Sequence, residues 1–71
     1  MRMDNYTKKE MNQDFRDIKK YIFEENLDGA AITEIILDVY EHYEVANRCN
    51  LKYSKGHYRD LLTRLIETYG H

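Results

Sequence analysis

Few residues in this chain are of a type that does proton-transfer, nucleophilic or metal chemistry. His42 follows Asp38 by four residues and sits beside Glu41. On a helix Asp38 and His42 share a face, but two such ligands are too few to hold a metal unless another segment contributes. Cys49 is the single cysteine, so it forms neither an internal disulfide nor a zinc finger. Beside Arg48 near a helix end it could be a reactive thiol. The spacing favours a small buried hydrophobe instead. His57 is expected as an exposed polar residue early in a helix, and His71 ends the sequence. Gly-rich phosphate loops, His-Glu-x-x-His and a nucleophile elbow are all missing from the sequence. A chain of 71 residues is also short for enclosing a substrate pocket, which usually needs ~300 Å³ or more. The expectation is a non-enzyme with no metal, no cofactor and no small-molecule substrate.

Charge and tyrosine content say more. The net charge of −2 hides an asymmetry. From Ala30 to Asn47 there are four acids (Glu34, Asp38, Glu41, Glu44) and no Lys or Arg, and from Arg48 onward there are five bases against Asp60 and Glu67. Glu34, Asp38 and Glu41 stand at i, i+4, i+7 and form a ridge on a helix. Like charges at that spacing cost about 0.2–0.5 kcal/mol per pair. The ridge reads either as a solvated face partly neutralised by neighbouring helices, or as a docking surface for a basic partner or a crude mimic of a phosphate row. There are seven tyrosines, two phenylalanines and no tryptophan. Tyr40, Leu37 and Phe23 fall off the apolar stripes and lie next to charge. Aromatics so placed form either the rim of a wide core or a protein-contact surface.

Three amphipathic helices are expected to position these groups. The first runs from about residue 7 to 25, with Met11, Phe15, Ile18 and Ile22 on one stripe. Thr7-Lys8-Lys9-Glu10 reads as a capping box, with Tyr6 and Met11 placed as a hydrophobic staple. Asp28 is the expected cap of the second helix, and Gly29 the residue free to adopt a left-handed conformation between the two. The second helix runs from about 30 to 49, its stripe being Ile32, Ile35, Ile36, Val39, Tyr43 and Ala46, and Asn50 is placed to end it in the left-handed region. The third runs from about 54 to 69, capped by Ser54 and closed by Gly70, with Tyr58, Leu61, Leu62, Leu65, Ile66 and Tyr69 repeating at helical spacing. The chain holds no proline, which fits uninterrupted helices. No strand alternation competes with this pattern. The expected fold is all-α, a small antiparallel three-helix bundle forming one domain over residues 1–71.

Val45-Ala46 followed by Cys49-Asn50-Leu51 resembles the first half of a helix-turn-helix motif, with Asn50 in the Gly-like position. That resemblance implies a recognition helix opening at Lys52, with Lys52, Lys55, His57, Arg59 and Arg64 reaching bases or phosphates. The turn is about two residues longer than the short form of the motif.

Composition sets the outer bounds. With 42% hydrophobic residues and little net charge the chain is expected to fold. A domain of this size has a small core and marginal stability. No apolar run approaches the ~20 residues of a membrane span, and the polar start is unlike a signal peptide, so a cytoplasmic location is expected. In size, tyrosine content and charge the chain is similar to small accessory proteins of mobile elements. The leading expectation is a small protein-binding regulator or inhibitor docking on a larger protein through helix 2, with Phe23, Glu34, Leu37, Asp38, Tyr40 and Glu41 in contact. The alternative is a DNA-binding transcriptional regulator using the basic third helix. A homodimer is compatible with both.

Overall fold

The computed structural model describes residues 8–50 and 52–70, the backbone alone at 52–54. Three helices make up the fold: α1 (Lys8–Glu24), α2 (Gly29–Arg48) and α3 (Lys52–Tyr69). Among the described residues there is no strand, and no helix is long and apolar enough to cross a membrane. The expected capping box at Thr7 and staple at Tyr6 involve residues outside the described ones.

The helix ends follow from side-chain chemistry. α1 stops where Asn26 takes a positive φ of 53°. The Asn26 N–H donates to the Phe23 carbonyl (3.2 Å) and the Leu27 N–H to the Ile22 carbonyl (3.1 Å). This is a Schellman closure that satisfies two terminal carbonyls and sets Leu27 against the Ile22 turn. Asparagine, not the expected Gly29, supplies the left-handed residue, because the helix closes three positions earlier and Asn tolerates that region. Gly29 has no positive φ and opens α2. Asp28 caps α2 as expected, its carboxylate accepting the Ala31 N–H at 2.9 Å.

At the far end of α2, Asn50 adopts φ 59° as its residue type suggests. The Asn50 N–H donates to the Asn47 carbonyl (3.2 Å) and the Cys49 N–H to that of Val45 (3.0 Å). Cys49 is exposed, contrary to the expected burial. It lies just past the last turn, where the chain has begun to reverse and no longer presents the stripe. α3 starts at Lys52, so Ser54 lies inside the helix rather than capping it. At the end of α3 the Gly70 N–H donates to the Ile66 carbonyl at 2.7 Å. Gly70 has no positive φ. What requires glycine there is close approach, since a Cβ would sit 2.7 Å from the Ile66 carbonyl oxygen.

Phe15 of α1, Val39 of α2 and Leu61 and Leu65 of α3 form the buried cluster, with Ile18, Ile35, Ile36, Tyr58, Leu62 and Tyr69 packed around it. Met11, Ile22 and Ala46 are buried as well. All three stripes thus face inward, with one exception. Ile66 is 47% exposed, because it stands about 100° around the helix from Leu65, beyond the arc its neighbours cover.

α3 is the central element and packs mainly on α2, running antiparallel to it. His42 of α2 stacks on Tyr58 of α3 (centroids 5.3 Å apart), and Lys55 Nζ lies 3.4 Å from Asn47 Oδ1. At the other end Ile32 and Ile36 share a cleft with Tyr69. α1 leans on α3: the Arg64 guanidinium lies 4.4 Å from the Phe15 ring centroid and donates to the Asn12 side-chain carbonyl. His57 Nε2 lies 3.1 Å from Asp14 Oδ2.

Candidate protein-docking surface

α2 buries Val39 and Ala46. Leu37 stands two residues before Val39, about 200° around the helix, and therefore faces solvent. It is 54% exposed, and Tyr40, one turn on, is 46% exposed. Glu34, Asp38 and Glu41 surround this pair and are all exposed. Tyr40 leans toward Tyr43 (centroids 6.4 Å). Glu44, one turn on, pushes the Tyr40 pKa above the ordinary tyrosine value, by favouring the protonated hydroxyl as a hydrogen-bond donor and through its charge. Tyr40 is therefore a neutral, amphipathic contact group. Val45 extends the apolar strip beyond Glu41 at 48% exposure. Its signal in the sequence is its place off the stripe, eight residues after Leu37.

The acids differ in their surroundings. Asp38 Oδ2 lies 3.8 Å from His42 Nδ1, and the same nitrogen lies 2.8 Å from the Asp38 carbonyl oxygen. That carbonyl orients the imidazole by accepting from Nδ1–H, with the assignment of the proton following from the contact. Glu41 does not join them, and among the described residues no group of three or more His, Cys, Asp or Glu side chains could hold a metal ion.

Phe23, the sixth residue of the expected site, is the most exposed large apolar side chain described, at 85%. It does not join the α2 surface. Tyr21, two residues earlier and so on the opposite side of α1, lines a cleft with Leu27, Ala31, Glu34, Ile35 and Asp38. Tyr21 is the residue the sequence reading missed. Its off-stripe position was visible, but which side of α1 would turn toward α2 was not.

The basic residues of the alternative site are dispersed. Arg59 is exposed, with Nη2 3.6 Å from Asp60 Oδ1. Lys55 is half-buried and reaches Asn47. Arg64 turns to α1. His57, expected to be exposed, is tucked between α1 and α3 with only 12% of its side chain accessible. Burial lowers its pKa below the ordinary histidine value, against the opposing pull of Asp14, Asp60 and Glu10. α1 covers it because the Asn12–Arg64 and Asp14–His57 contacts draw the two helices together. The side chain of Lys52 lies outside the described ones.

The chain matches no family model, no curated protein and no solved structure, so the functional reading rests on the geometry itself.

Proposed function

We propose that the protein is a small non-enzymatic regulator or inhibitor that docks on a larger protein through α2, in the cytoplasm, where a lone exposed cysteine stays reduced. The observation that supports this reading is the pairing of two half-exposed large side chains, Leu37 and Tyr40, inside an acidic surround. Burying apolar area already presented on a helix yields roughly 25 cal/mol per Å². The surrounding charges keep the free protein dispersed and select the partner. DNA binding through α3 receives less support, since His57 and Arg64 are both engaged with α1.

The test is a tagged pull-down from the native host, comparing the wild-type chain with the Leu37→Gln/Tyr40→Gln double variant. The partner retained by the wild type should be lost by the variant, while helical circular dichroism is unchanged. Loss of helicity in the variant would place these residues in the core and end the proposal. Low-salt fluorescence polarisation against duplex DNA separates the alternative, because phosphate attraction is strongest at about 50 mM salt.

A further inference from the structure

α1 leans on α3 rather than on α2, and this leaves an open groove between α1 and α2. At one end Tyr21, Leu27 and Ile35 form an apolar floor, with Glu34 and Asp38 at the rim, in a cleft of about 410 Å³. The groove continues past Asp38 over Ile18 toward His42, where Asp14 and Asp17 line the α1 side, in a second cleft of about 310 Å³. Four carboxylates thus border one apolar trough, two from each helix. Among the described residues no Lys or Arg lines either cleft. Asp14 meets His57 and Asp17 accepts from Gln13, while His42 lies near Asp38. The histidines facing the trough are His42 and His57, and burial favours the neutral form of the second.

We propose that this groove seats a basic amphipathic helix of another protein. The inference rests on the docking function proposed above through the shared Glu34 and Asp38 and names the partner's chemistry, the groove floor at Ile35 lying about 200° around α2 from Leu37. A helix fits lengthwise into the valley between two others at interaxial distances of about 8–10 Å, completing a four-helix arrangement. Its apolar side covers Tyr21, Ile18 and Ile35. Lysines or arginines flanking that side meet Asp14 and Asp17 on one rim and Glu34 and Asp38 on the other. An acidic helix would be repelled by the net negative rim, and a neutral one would desolvate Asp17, Glu34 and Asp38 with no opposite charge to offset it. The α2 and α3 helices of a second copy of this chain do not match the groove. That copy's α2 carries the same acids, and two of its α3 bases, Lys55 and Arg64, already contact Asn47 and Asn12.

The experiment uses the full chain and a fluorescent lysine–leucine peptide of about 16 residues, long enough to form a helix on binding. Its leucines are spaced i, i+3, i+4, i+7. Two controls accompany it: an isomer of identical composition with the leucines out of register, and a version with glutamate in place of lysine. The in-register basic peptide should bind at least about tenfold more tightly than either control, and the Glu34→Lys/Asp38→Lys variant should weaken it by about tenfold. Ala31→Trp, which fills the floor without altering charge, should weaken it similarly. Equal binding of the out-of-register isomer, or unaltered affinity in both variants, would overturn the groove. So would sedimentation showing a dimer that Glu34→Lys/Asp38→Lys dissociates, since the occupant would then be a second copy. The broader reading is separable. A host partner lost by Leu37→Gln/Tyr40→Gln but kept by Glu34→Lys/Asp38→Lys removes the groove proposal and leaves docking through α2 intact.

Discussion

Leu65 and Leu37 are the same residue type on neighbouring helices, and their truncation should differ sharply. Leu65 is 0% exposed and belongs to the buried cluster with Phe15, Val39 and Leu61. Leu65→Ala removes its transfer free energy and leaves a cavity, a change that costs about 2.7–5 kcal/mol in buried sites. The core of a domain this small rarely supplies more than about 3–5 kcal/mol in total, so Leu65→Ala should be largely unfolded even without denaturant. Leu37 is 54% exposed. It forgoes roughly half of the 1.5–3 kcal/mol available to a fully buried leucine, and its neighbours can close over the gap. Alanine also favours the helix slightly. Leu37→Ala should therefore cost below about 1 kcal/mol, or less than ~8 °C in Tm for a domain of this length. Urea titration followed by far-ultraviolet circular dichroism measures both. If Leu37→Ala is likewise largely unfolded without denaturant, Leu37 is a core residue and α2 carries no such docking face.

Two further outcomes follow from the backbone and from His57. Gly29 lies in the first turn of α2, has no positive φ and has nothing within 4 Å of an added Cβ. Gly29→Ala should raise stability by about 0.4–1 kcal/mol, whereas Gly70→Ala should lower it, because its Cβ meets the Ile66 carbonyl oxygen; thermal melts of the two variants decide between these signs. Burial holds the His57 pKa in the folded chain below its unfolded value of about 6.5. The unfolded chain therefore takes up the proton first, and the contribution from His57 is fully present above that value and declines as pH falls below it. Urea midpoints measured at falling pH should drop more steeply for the wild type than for His57→Gln; parallel curves would show that burial does not control this imidazole.

The helical plan was legible because it depends on local chemistry. Periodicity of 3.6 residues marks the inward faces of all three helices, and side-chain capping makes Asp28 a start and Asn50 a stop whatever surrounds them. The readings that needed correction involve competition or environment. Asn26 closed α1 before Gly29 could, since either residue tolerates a left-handed backbone and the helix ends at the first one that satisfies its carbonyls. α3 began ahead of Ser54. The exposure of Cys49 and Ile66 and the partial burial of His57 depend on what a neighbouring helix covers.

By itself the sequence determined the three helices, the stripe each one buries, and the acidic character of α2 that sets Leu37 and Tyr40 among carboxylates. These follow from spacing along a single helix and from residue type. Only the tertiary structure decided that α1 would lean on α3 through Asp14–His57 and Asn12–Arg64. That choice turned Tyr21 rather than Phe23 toward α2, drew His57 and Arg64 away from α3's exposed face, and opened the acid-rimmed groove. The physical reason is that a stripe specifies which side of a helix is buried, while the tilt and rotation against its neighbours come from contacts between residues far apart in the chain.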